Sequence, residues 1–427
     1  MRMLSKSNWK HISPWLVPML YAVTAILAGA ILPRLENMLL PHLKAELSID
    51  SAIALYSSIA SGMMALTGIV FSLTFLMVQF SATAYSPRLV MWIARDPVLS
   101  HALGIFSATF LYAIAALSWL DRDNSRKVLF ISAWTVIALL LASVGMFIAL
   151  IQRVGLLQIN RMLLFIANQG RGVIEKLYGQ LDLPSSKAQI FSRIKVMPGQ
   201  ILLHRGRPQS LQEINIEKLI HIAYQHDARI AVVAAVGDTL LEGTALIHVF
   251  GGDAQIPETE LRNAFELGDE RTFDQDPKYA IRLLVDIAIR ALSPAINDPT
   301  TAVQALDQIG DLLSRLGQLQ LEIGEFRDDA GSLRVLAEFP SWDDFLHLGF
   351  EEILAYGAKS VQIMRRMKAL VADLLAMLPP KRHTALKYWR ERLQTSIGRS
   401  FEDAEEKISA SAEDRQGLGI TRYSETA

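Results

Sequence analysis

The chain has no cysteine among its 427 residues. Disulfides, thiolate metal sites and thiol catalysis are therefore excluded, while the redox compartment stays open. Its nine histidines are scattered singly, without a pair at metal-ligand spacing, and neither a phosphate-binding glycine loop nor a nucleophile elbow occurs. No metal or cofactor is implied, and the chain is not expected to be an enzyme. A charge excess is also missing. Residues 1–152 hold ten Lys/Arg against six Asp/Glu, and the remainder 32 against 37. Two nearly neutral halves without a clustered basic face exclude nucleic acid as a partner.

Charge is scarcest where apolar residues run longest. Residues 52–85 form 34 consecutive positions without a charged side chain, and a helix of that length would reach about 50 Å against a hydrocarbon core of roughly 30 Å. Such a segment must tilt, break or project. Four apolar segments, residues 15–32, 52–84, 98–120 and 128–152, are long enough to cross a bilayer. The first follows Arg2, Lys6 and Lys10 and could pass for a signal peptide, but Pro33-Arg34-Leu35 is no small-residue cleavage site, so it reads as a retained span. With a cytoplasmic amino terminus, eight basic residues lie inside and five outside, which places both termini in the cytoplasm of a multi-pass inner-membrane protein. Asp, Glu, Lys and Arg are absent from the middle of all four segments, which disfavours a pump or proton antiporter.

On the second span Ser57, Ser61, Gly68, Ser72, Gln79 and Thr83 recur at intervals of 4, 7, 4, 7 and 4, which places them on one helical stripe. Repeated around an axis by a homo-oligomer, that stripe can line a path for ions, with Phe71, Phe75 or Phe80 as apolar gates. The same spacing also serves close helix packing, since Ser57/Ser61 and Gly68/Ser72 are small-x-x-x-small pairs. His101, near the start of the third span, offers either a pH-sensitive group or an interfacial anchor.

Beyond residue 152 the pattern changes. An amphipathic stalk helix is expected over 153–182, a cytoplasmic mixed α+β domain over 183–400 and a disordered tail over 401–427. Within the domain, 190–203 reads as paired strands around Pro198-Gly199, 211–226 as a helix, 229–236 and 244–250 as strands, and 261–267, 277–292 and 299–316 as helices. A hairpin over 319–339 turns at Asp329-Ala-Gly331, and three helices fill 342–400. Gly237-Asp238 reads as a structural turn.

The sharpest local text joins two capped helices. Asp276-Pro277 and Asp298-Pro299 each combine a capping carboxylate with a proline at the first helical position. Arg282, Asp286 and Arg290 lie four apart between them and can form a charge ladder. With Arg271, Asn297, Thr300 and Thr301 nearby, this corner is a candidate site for a small anionic ligand at a helix amino terminus. The alternative is that caps and ladder only fix its geometry.

These motifs carry a resemblance. Phe71-Ser-Leu-Thr-Phe75, the run from Gln79 to Arg88, Leu103-Gly-Ile-Phe106 and, above all, Leu284 to Ala302 with its Ser293-Pro-Ala-Ile-Asn-Asp-Pro-Thr-Thr-Ala302 resemble the bacterial predicted membrane proteins grouped under a domain of unknown function. The resemblance runs from about residue 15 to 393. It implies an inner-membrane protein with a four-span amino-terminal half and a cytoplasmic carboxy-terminal half, and it implies no activity and no catalytic residues. Two functional readings follow from the residues: a homo-oligomeric channel or channel-like protein gated by its cytoplasmic domain, or a non-conducting sensor or scaffold binding a small anionic ligand or partner there.

Overall fold

The computed structural model describes residues 16–40, 47–84, 97–122, 128–154, 159–180, 197–252 and 255–418. The chain divides into two compact units, Met1–Ile159 and Asn160–Ala427. The first contains α1 (Leu16–Leu39), α2 (Ile49–Ala84), α3 (Pro97–Arg122) and α4 (Phe130–Val154), each long and apolar enough to cross a membrane. The second is mixed helix and strand. The fold class read from the sequence is the one observed.

The first span extends beyond its expected end. Expected over residues 15–32, it continues as α1 through the buried Pro33 to Leu39. A proline removes one backbone donor, and in a bundle neighbouring helices make this tolerable. Helix α2 is 36 unbroken residues, or about 54 Å at 1.5 Å per residue. The spans close on α3, whose Phe106 and Tyr112 are fully buried. Contact with α1 is intimate because it is made at glycines. A Cβ on Gly29 would stand 2.4 Å from the Ala115 Cβ, and one on Gly104 2.5 Å from the Tyr21 ring. Small residues let backbones approach where no hydrophobic force drives helices together within lipid. Between α3 and α4, the hydroxyls of Thr109 and Ser143 bond at 2.8 Å in a buried pair.

The second unit begins with α5 (Ile159–Leu177), the stretch read as a stalk. Its apolar face, including Leu163, Ile166 and Ile174, is buried within this unit, and its Arg171 Nε donates to Asp311 at 2.6 Å. It is thus one wall of the domain. Strand β1 (Gly179–Gln180) follows, then β2 (Gln200–Leu203), β3 (Gln209–Ile214), α6 (Ile216–Gln225), β4 (Ala228–Val232), β5 (Thr239–Leu240), β6 (Ala245–Gly251), α7 (Glu258–Arg262) and β7 (Phe265–Gly268). Next come α8 (Pro277–Ala291), α9 (Pro299–Gly317), β8 (Leu319–Gln320), β9 (Glu325–Arg327), β10 (Leu333–Ala337), α10 (Trp342–Gly357), α11 (Val361–Met377), α12 (His383–Ser400) and α13 (Ala404–Ser411). One sheet has the order β2-β6-β4-β10-β9 with β4 and β10 parallel, a second the order β5-β3-β7, and β1 pairs with β8.

Three local expectations change. Residues 209–214 are strand before the helix at Ile216 begins, because Asn215 caps that helix through Lys218 N at 2.9 Å. Residues 261–267 split into the end of α7 and strand β7, which pairs with β3. Residues 401–418, expected to be disordered, contain α13 and hold a buried Asp414 whose Oδ1 accepts the amides of Gln416 and Gly417, each at 3.0 Å. The expected strand over 190–196 lies outside the described residues, as does the tail beyond Leu418.

The glycine contacts give a testable contrast in the first unit. Gly29→Leu and Gly104→Leu each put a branched side chain into an occupied site, and overpacking of this kind costs about 1–3 kcal/mol. Both variants are expected to lower the melting temperature in detergent, whereas Gly145→Leu on α4, whose Cβ would meet nothing within 4 Å, leaves it within error of the parent.

Candidate functional site

Two places were singled out from the sequence. On α2, the face buried against the other spans is formed by Ala52, Tyr56, Ile59, Ala60, Met63 and Val70. At 100° per residue the Ser57–Gln79 stripe lies about 160° around the helix from that face. Ser61, Gly68, Ser72 and Gln79 are accordingly exposed, Ser57 is half-buried, and of Thr83 only the helical backbone is described. Phe71 and Phe75 are exposed beside them, and Phe80 has no described side chain. Gly62 and Gly68 have open space where a Cβ would stand. Among the described residues Gly62 and Gly68 thus serve no close packing, in contrast to Gly29 and Gly104. Next to Gly68, α1, α2 and α3 enclose an apolar crevice of about 420 Å³ lined by Pro18, Met64, Thr67, Phe71 and Leu103 among others.

His101 meets Tyr21 across the α1–α3 contact, its Nδ1 3.2 Å from the phenol oxygen. It is a partnered group between two spans.

At the corner, the two proline-started helices form as expected. Asp276 accepts the amide of Tyr279 at 3.2 Å, and Asp298 accepts the amide of Thr301 at 3.1 Å and its hydroxyl at 2.6 Å. Asn297 occupies the left-handed region at φ +48°, and Asp298 N donates to Ala291 O at 2.8 Å, so the turn between α8 and α9 is tight. The two caps nevertheless stand at opposite ends of α8, about 22 Å apart along a 15-residue helix. The residues proposed together are two separate sites.

At the first end, Arg271 pairs with the buried Asp276 and lies over the Tyr279 ring. Burial pushes the Asp276 carboxyl up, against the opposing pull of Arg271 and Lys278. Burial also pushes the Tyr178 phenol up, with the Asp276 charge adding to it. Gly237, at φ +92°, presses its backbone on this pair; a Cβ there would stand 2.4 Å from Arg271 Nη2 and 2.5 Å from Asp276 Oδ2. The turn read as structural is therefore seated on the Arg271–Asp276 pair. Midway along α8, Arg282 donates to Asp286 at 2.7 Å and forks onto both Glu352 oxygens at 2.5 and 2.8 Å. Burial alone would lower this guanidinium, but the carboxylates of Glu352 and Asp286 outweigh it and raise it. Arg290 is likewise engaged. At the far end Asn297 and Thr300 are exposed. Arg271 and Arg282 are already matched by carboxylates, the second of which fixes α8 against α10, and this leaves little of their charge for a ligand.

Sequence reasoning missed Glu36. Lying past the span expected over residues 15–32, it is inside α1, is 2% exposed, and accepts the amides of Ile131 at 2.8 Å and Ser132 at 3.1 Å at the start of α4. The signal was Leu35, Met38, Leu39 and Leu40, which continue the apolar text beyond residue 32. Glu36 lies in the last turn of α1, so the middle of each span remains without a charged side chain among the described residues.

Two predictions follow from the second unit's geometry. Arg282→Ala is expected to cost about 1–2 kcal/mol in denaturant unfolding, with the partly exposed Glu352 limiting the loss, and Arg282→Lys to recover only part, since an ammonium cannot fork. For Asp276, the raised folded value means that its stabilising contribution is full below the ordinary carboxylate value and is lost as pH rises through the raised one. Asn caps a helix as well as Asp. Thermal unfolding between about pH 4 and 8 should therefore show the parent losing stability relative to Asp276→Asn as pH increases.

Comparison with known proteins covers nearly the same span as the architecture. Residues 11–373 match the family model described as "Predicted membrane protein (DUF2254)". The chain is 25% identical over 407 residues to the uncharacterized proteins Rv1290c of Mycobacterium tuberculosis and Mb1321c of Mycobacterium bovis, covering 92% of this chain and 78% of each relative. No solved structure matches. Four apolar helices followed by a mixed α and β unit, with the matched residues running through both, place this chain in the DUF2254 family of predicted membrane proteins.

Proposed function

We propose that the protein is a homo-oligomeric, non-enzymatic ion channel or channel-like protein of the bacterial inner membrane, with both termini in the cytoplasm. In this reading α2 lines the axis and the carboxy-terminal unit acts as its gate. The observation that carries it is the exposed face of α2, where Ser61 and Ser72 lie opposite the residues buried against the other spans. A helix that packs its own chain through large apolar residues and keeps hydroxyls and glycines on the other side is suited to meeting copies of itself around a polar path. The reading of the corner as an anion site has weaker support, because its arginines are matched by Asp276, Asp286 and Glu352.

The absence of native cysteine makes the test clean. Ser72→Cys in native membranes is expected to form a disulfide between two copies under mild oxidant, whereas Val144→Cys, exposed on α4, does not. Reconstituted in liposomes, the parent is expected to pass ions under tension, voltage or pH steps. A monomeric Ser72→Cys product together with silent liposomes removes the proposal.

A further inference from the structure

All four spans send a polar group into one buried place. From α1 comes the Glu36 carboxylate, which Ser132 Oγ also approaches at 3.5 Å. From α2 comes Tyr56, from α3 Tyr112, and from α4 Ser132 and Thr135. Tyr56 is 0%, Tyr112 1%, Glu36 2% and Ser132 5% exposed. Both phenols lie within electrostatic reach of Glu36, and Tyr112 stands beside Ser132 and Thr135. Yet among the described residues neither phenol oxygen has a hydrogen-bond partner. A buried hydroxyl without a partner costs about 1–3 kcal/mol, and two such groups side by side call for a physical reason.

Counting donors and acceptors identifies the missing guest. Ile131 N, Ser132 N and Ser132 Oγ supply three donors to the carboxylate; Thr135 Oγ1 donates to Ile131 O at 2.8 Å, and the lone pairs that the Ser132 and Thr135 hydroxyls keep are in hydrogen-bond geometry with neither phenol. The two phenol protons remain without an acceptor, while the carboxylate has about four lone-pair positions, of which three are taken. A metal cation would use the phenol oxygens and leave their protons stranded, and it would stand at the positive end of α4. A water molecule accepts from a phenol and donates to the carboxylate, completing both. We propose that ordered water is bound here, bridging Tyr56 and Tyr112 to Glu36 and tying the four spans together at one end of α4. Water in a polar recess with two to four partners is part of a protein's structure.

Substituting the phenols distinguishes a bridged hydroxyl from an orphaned one. Removing a bridged hydroxyl breaks a network, whereas removing an orphan relieves a penalty. Tyr56→Phe and Tyr112→Phe are each expected to lower the melting temperature of the full chain in lipid nanodiscs by about 2–4 °C. The double variant should fall by less than the sum, because both hydroxyls hold the same water. A structure in lipid at a resolution that shows water should have density within hydrogen-bond distance of both phenol oxygens. Phenylalanine variants that are unchanged or more stable, or a recess without density, overturn the proposal. A melting temperature that rises in sodium or potassium over N-methylglucamine, and does so only with Glu36 present, also overturns it in favour of a cation.

Discussion

Within hydrocarbon no polar group can turn to water, and the first unit is arranged around that constraint. Helices satisfy their own backbones; their ends and hydroxyls must find partners elsewhere. Thr67 and Thr74 bond back to Met63 and Val70 carbonyls at 2.7 Å, Thr135 to Ile131 at 2.8 Å, and Thr109 and Ser143 to each other. The exposed amides at the start of α4 are met by Glu36 from α1. A carboxylate at a helix amino terminus is favourable in any solvent and more so where the local dielectric is low. The sequence-distant α1 and α4 are thereby linked through charge and hydrogen bonding, while α1 and α3 are linked through the absence of side chains at Gly29 and Gly104.

The second unit solves the same problem with water at hand. Six of its helices begin at residues whose side chains cap them from within their own text: Asn215, Asp276, Asp298, Ser341, Ser360 and Asp403. Its polar side chains pair across elements. Arg382 donates to the carbonyls of Gly317 and Leu319 at 3.3 and 2.8 Å and closes the end of α9, and burial lowers that guanidinium from its usual value. Arg334 joins Asp328 at 2.7 Å and Asp227 at 2.8 Å, holding the β9–β10 turn beside β4. The α8–α9 corner belongs to this pattern: its most distinctive residues are spent on holding helices in register.

What was legible in the sequence is what is encoded locally. Apolar runs gave the four spans, the two Asp-Pro starts gave α8 and α9, and Asp329-Ala-Gly331 gave the turn between β9 and β10. Strands β3 and β7 were hidden because their residues alternate weakly and their pairing is with each other across more than fifty residues, which no short window contains. The packing of residues 401–418 was hidden for a related reason. Its composition is polar, but the buried Asp414 and the bond from Gln362 to Gly417 O at 2.5 Å are tertiary facts. Glu36 was hidden because Arg34, Glu36 and Asn37 interrupt the apolar run, while the amides that the carboxylate meets are at Ile131 and Ser132. Arg282 was seen as one rung of a ladder on α8, but its fork onto Glu352 joins positions seventy residues apart.

The unbroken length of α2 has a consequence of its own. A stiff rod longer than the film it crosses must lie at a slant or stand proud of it. With its interior side fastened to α3, α2 takes its slant or its overhang from that contact and not from the lipid alone.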